Sequence, residues 1–154
     1  MKSKFLFTIA AGVIVGGIVV ATGSSAGPAE SVKYRQNLMK ANGAHMGDIS
    51  MLVKGEVAFG APHVVAQAEG LEASAKLVAD SFKDKTGDTG PTAAKANIWT
   101  DWQGFQEKAK ALETESAKLV AVAKKGDMNA IGEQVKAVGA ACGGCHETFR
   151  EKKS

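Results

Sequence analysis

The sequence predicts an all-α fold, an antiparallel up-down-up-down four-helix bundle, on three observations. Apolar residues recur at three-and-four spacing through four successive stretches, and clusters of turn-forming residues separate those stretches. No run alternates with period two for long enough to make a strand.

The N-terminus stands apart from this pattern. Lys2 and Lys4 precede an uncharged run from Phe5 to Ala21, which ends in the small residues Thr22 to Ala26. That is the layout of a secretory signal peptide with cleavage after Ala26, so residues 1–26 are read as a leader and 27–154 as one domain. The apolar run is about 17 residues, the low end of what a retained membrane anchor would need. With the leader cleaved no span remains, and the expected location is the periplasm.

The first helix carries Val32, Met39, Met46 and Val53 at sevenfold spacing, with Leu38, Ile49 and Leu52 beside them. Gly55 to Pro62 breaks the pattern, and Pro62 suits the first turn of a second helix bearing Val64, Ala68, Leu71, Ala75, Val78 and Phe82. Lys83 to Pro91 is rich in turn formers and reads as a loop.

A third helix is expected from about Ala93 to Lys125, with Ile98, Trp102, Phe105, Ala109, Leu112, Ser116 and Leu119 on one face. Lys124 and Lys125 suit the negative end of its dipole, and Gly126 stops it. Asp127 can cap the fourth helix, whose stripe runs Met128, Ile131, Val135, Val138, Cys142, Cys145 and Phe149.

The formal charge is +3, and setting aside Lys2 and Lys4 leaves 17 basic against 16 acidic residues. That balance gives no electrostatic footprint for nucleic acid. The only two cysteines stand in Cys142-Gly143-Gly144-Cys145-His146, so the chain lacks the spread of cysteines of a disulfide-stapled domain.

The C-x-x-C-H spacing suits haem attachment. Thiols three apart on a helix can each bond one vinyl group of a single haem, and the adjacent imidazole can reach the iron. Positions 142, 145 and 146 share one side of a helix, and Gly143 and Gly144 would let a macrocycle approach. A redox dithiol would be expected at a helix N-terminus near a βαβ pattern, which is absent. Zinc would need about four ligands, and the remaining histidines, His45 and His63, are distant in sequence. A disulfide between residues this close on one helix has poor geometry.

Several separated segments resemble class II cytochromes c, the cytochrome c′ family, across essentially the whole mature region. They are Tyr34 to Met39, Gly43 to Met46, Val53 to Glu56, Ala96 to Trp99 and Cys142 to Arg150. The resemblance implies a left-handed four-helix bundle with one haem c near an end, a periplasmic setting, often a homodimer, and redox partner proteins there. It also implies that Arg35 and Gln36 contact haem propionates and that Arg150 lies on the proximal side of the iron.

The second axial position separates two functions. In an up-down bundle the early first helix lies beside the end of the fourth, and Met39 is on its apolar stripe, whereas Met46 is roughly 10 Å further along. Met39 is the expected sixth ligand; its thioether leaves no open site, and the protein is expected to be a one-electron carrier. A Met39 that only packs leaves an apolar open face suited to nitric oxide or carbon monoxide. No residue is evidently placed as a distal acid or base, so an enzyme is not expected.

Overall fold

The computed structural model describes residues 27–85 and 91–152. The leader expected over residues 1–26 lies outside them, as does the middle of the loop before Pro91.

Among the described residues six helical segments build the fold: α1 (Pro28–Lys54), α2 (Ala61–Ala75), α3 (Val78–Ser81), α4 (Asn97–Thr100), α5 (Trp102–Ala123) and α6 (Met128–Phe149). The long segments α1, α2, α5 and α6 are the four helices of the bundle. They pack as a ring, α1 on α2, α2 on α5, α5 on α6, and α6 back on α1. Among the described residues there is no strand, only an isolated bridge between Ala94 and Arg150.

The ends follow local chemistry. Pro28 opens α1 where its missing N–H costs nothing. Gly55 closes it at φ 71°, its N–H donating to Leu52 O while Glu56 N–H reaches Met51 O, the paired bonds of a Schellman cap. Gly126, at φ 76°, turns the chain out of α5. Asp127 then caps α6, its Oδ1 accepting from Asn129 N at 2.9 Å and Ala130 N at 3.1 Å.

Two expected helices are shorter than their periodicity suggested. The second breaks at Lys76 and Leu77 and resumes only as the single turn α3, with Phe82 beyond its end. Its buried face nonetheless runs unbroken through Val64, Ala68, Leu71, Ala75, Val78 and Phe82. The third is preceded by a separate turn, α4, because Asp101 leaves helical geometry at ψ 57° and caps α5 through Gly104 N–H at 3.1 Å. Ile98 is still buried, so the apolar period survives a backbone interruption that periodicity does not detect.

The core is centred on Ile49, Val64, Leu71, Leu119, Ile131 and Val138, all fully buried. On α1 the buried row keeps only Val32 of the expected sevenfold stripe. Val32, Arg35, Leu38, Asn42, Ile49 and Leu52 are buried, while Met39, Met46 and Val53 are only partly so. The two methionines pack against the core at the flank of the row, where α1 also borders a cavity.

Candidate cofactor site

A cavity of about 750 Å³ opens at the end of the bundle where α1 begins and α6 finishes. It lies within the range of sites that enclose a small organic molecule. One wall is α6, with Cys142, Cys145 and His146 all lining it. α1 also lines it, with Met39 and Asn42, and Phe82, Phe105 and Leu112 add apolar surface.

The site residues arise from helical spacing. Cys142, Cys145 and His146 fall on one side of α6 and are half-buried, and the cysteines pack against the hydrophobic core. Both thiols are free. Gly143 and Gly144, expected to admit a macrocycle, do not line the cavity. Gly143 is exposed, and a side chain at Gly144 would meet only Lys108 Nζ, 3.8 Å away.

Electrostatics at this wall keep all three groups neutral. Burial pushes the Cys142 thiol above its ordinary range, outweighing a backbone hydrogen bond that favours the thiolate. Burial does the same to Cys145, reinforced by Cys142 and opposed by the Lys108 ammonium. Burial and then the positive charge of Arg150 hold the His146 imidazole below its usual value. A neutral imidazole is the form that can offer a nitrogen lone pair to iron.

Arg150 lines the cavity, and its backbone N–H closes α6 on His146 O at 3.1 Å. It is also fixed by pairing with the segment before α4. Lys95 N–H donates to Phe149 O at 3.0 Å, and Glu151 N–H to Ala93 O at 2.8 Å. Thr92, Ala93 and Ala94 thereby become a third side of the cavity.

Arg35 and Gln36 both line the cavity at its rim, where each also holds a neighbouring segment. Arg35 is buried, donating from Nε to Ser81 O and from an Nη to Asp84 O, each at 2.6 Å. Burial lowers its pKa, with Asp84 opposing, and the guanidinium remains a cation. Gln36 is exposed, and its Nε2 donates to Pro91 O at 2.8 Å.

Neither other histidine lines the cavity. His45 is half-buried with Nδ1 2.6 Å from Gln67 Oε1, and His63 is exposed and stacked on Phe59. Among the described residues no three His, Cys, Asp or Glu side chains cluster so as to hold a metal ion. Sequence reasoning missed Asn42 and Lys108 as lining residues. The available signal was the sevenfold row Arg35, Asn42, Ile49, which puts two polar residues on the core side of α1.

The arrangement fits a haem: two thiols and a neutral imidazole converge on one wall of an apolar cavity. When bound, a haem supplies an iron centre for one-electron or ligand-binding chemistry. No helix among the described residues is long and apolar enough to cross a membrane.

Comparison with known proteins agrees with this geometry. The family model described as Cytochrome C′ matches residues 30–150. A cytochrome c-556 from Agrobacterium tumefaciens (strain B2A) is 37% identical over 125 residues, covering 81% of this chain and 100% of the relative. A cytochrome c′ from Halomonas halodenitrificans is 34% identical over 128 residues, covering 80% of this chain and 97% of the relative. The ferrous R124K variant of cytochrome c prime from Alcaligenes xylosoxidans, with bound NO, superposes at a TM-score of 0.76 with 32% identity, covering 84% of this chain and 99% of that one.

Proposed function

The chain belongs to the cytochrome c′ family and is a haem c cytochrome, and from that premise we propose that it is a periplasmic binder of nitric oxide or carbon monoxide at an open distal site. The haem is attached by thioether bonds from Cys142 and Cys145, His146 is the proximal ligand, and Arg150 stands on the same side. Arg35 and Gln36 flank the propionate edge. The leader, residues 1–26, is removed on export.

The observation that carries this reading is the makeup of the cavity that His146 lines. It offers no second imidazole, because His45 and His63 both lie off the cavity, and its surroundings are apolar. A small neutral diatomic suits such a site better than an anion does. The NO-bound cytochrome c prime from Alcaligenes xylosoxidans supports the same ligand class.

This chain's residues have distinct tasks. The α6 wall holds the ring and keeps His146 neutral. Phe82, Phe105 and Leu112 exclude water, and the segment Thr92 to Ala94 closes the side.

One observation favours a second reading. Met39 lines the same cavity as His146 and is half-buried, which makes its thioether a candidate sixth ligand. The protein would then shuttle single electrons between periplasmic partners. Absorption spectra of the ferric and ferrous protein, with and without carbon monoxide, separate the two. A high-spin spectrum that shifts with the gas is expected, and a low-spin spectrum insensitive to it overturns the open site in favour of the carrier.

A further inference from the structure

We infer that Gly43 on α1 and Gly139 on α6 frame a side port into the cavity, through which the site admits neutral ligands carrying an apolar tail as well as diatomics. This rests on the open distal site proposed above and extends its ligand class.

Helical spacing turns both glycines toward the cavity. On α1 the row Val32, Gln36, Met39, Gly43 and Met46 runs at four-and-three spacing, and every member lines the cavity. On α6 Gly139, Cys142 and His146 follow the same spacing and line it too. Gly43 and Gly139 are both exposed, and a Cβ at either position would have nothing packed against it within 4 Å.

The opening begins between two positions on one row. Residues seven apart return to nearly the same side of a helix, so Gly132, Gly139 and His146 share a side of α6. At Gly132 a Cβ would touch Val53 Cγ1 of α1 at 3.4 Å. At Gly139, about 10 Å further along, nothing on α1 comes within 4 Å. The two helices therefore pack at Gly132 and part before Gly139, and Gly43 leaves the α1 side of the gap unfilled.

A glycine inside a helix costs stability relative to alanine, and a positive φ or a close approach is the usual reason for one. Neither applies here. Among the described residues only Gly55 and Gly126 are glycines with positive φ, and no atom crowds positions 43 and 139. What the two share is the cavity edge, where a side chain would narrow the gap. Met39, Met46, Ala109 and Leu112 line the same cavity and no carboxylate among the described residues does, so an apolar tail finds matching surface.

The test measures association of carbon monoxide and of n-butyl isocyanide with the ferrous holoprotein by stopped flow. Gly43→Leu and Gly139→Leu are each expected to slow the isocyanide on the order of tenfold, the discrimination that one methylene group commands in an apolar pocket, and carbon monoxide by less. Gly47→Leu, at an exposed α1 position off the cavity, should leave both rates unchanged. Gly43→Ala and Gly139→Ala should raise the urea midpoint, because a methyl group there meets open space and favours the helix.

An isocyanide rate unchanged in either leucine variant overturns the port, and equal slowing of the two ligands overturns the ligand class. A lowered urea midpoint in the alanine variants, or loss of haem from the leucine variants, would assign the glycines to packing around the ring and overturns the inference as well. Insensitivity of the unsubstituted protein to carbon monoxide would instead overturn the open-site reading. The same comparison in the Met39→Ala protein, whose iron is open in either case, would still decide the port.

Discussion

The guanidinium of Arg35 lies 4.7 Å from the centroid of the Phe82 ring while donating to the carbonyls of Ser81 and Asp84 on either side of it. Trp99 adds a second ring at 5.7 Å, and its indole Nε1 donates to Phe82 O at 2.8 Å. One buried cation on α1 thus ties together the chain after α3 and the turn α4, the segments that finish the cavity rim.

Arg35→Met is expected to destabilise the protein by about 1–3 kcal/mol, since it removes two charged hydrogen bonds that tie α1 to the chain after α3. Urea unfolding of the holoprotein measures this. Arg35→Lys should recover little, because a single ammonium cannot reproduce the planar fork that serves two carbonyls and stacks on a ring. Full recovery by lysine would show that charge alone matters.

Gly70 on α2 admits the ring of His45 on α1, since a Cβ there would stand 2.5 Å from His45 Cε1. Gly70→Ala should therefore destabilise by about 1–3 kcal/mol through overpacking. Adding His45→Ala should relieve most of that cost in a double-mutant cycle. Additive losses would mean that the close approach is not the cause.

Changing Cys142 and Cys145 together to Ala should leave a haem that acidified organic solvent extracts. The unsubstituted protein should retain its haem through the same treatment. Retention by the double variant would refute thioether attachment.

Met39→Ala is expected to leave a high-spin spectrum in place, because the open-site reading gives the thioether only a packing role. Removing it enlarges an apolar pocket and should speed carbon monoxide binding. Conversion from low spin to high spin on substitution would identify Met39 as the sixth ligand.

In the haem-free chain, Cys142 and Cys145 should alkylate slowly near neutral pH. Burial raises both thiols above the range of an exposed cysteine, and the thiolate is the nucleophile. Rates of iodoacetamide labelling should therefore reach half their maximum at a higher pH than those of a free cysteine. A half-maximum at or below that of free cysteine would place the thiols in a more polar setting than this cavity.

The four-helix architecture, and the placing of Cys142, Cys145 and His146 on one wall, were legible in the residues alone. Helical periodicity depends only on which positions are apolar, and Val64 to Phe82 keep a buried face even though the backbone breaks at Lys76 and Leu77. The C-x-x-C-H motif is local as well, since one helix suffices to put Cys142, Cys145 and His146 on one wall. The break at Gly55 and the cap at Asp127 were readable for the same reason.

Only the tertiary structure decided what α1 presents to that wall. The sevenfold stripe of Met39 and Met46 looked like the core row, yet Arg35 and Asn42 are the more deeply buried residues. A cavity leaves the apolar positions beside it half-covered, and partners on other segments, the Ser81 and Asp84 carbonyls and the Ser74 hydroxyl, make two polar side chains tolerable inside. Those partners are separated from Arg35 and Asn42 by 32 to 49 positions in the chain. No period along one helix can reveal them, because burial of a polar group depends on what the rest of the fold brings to meet it.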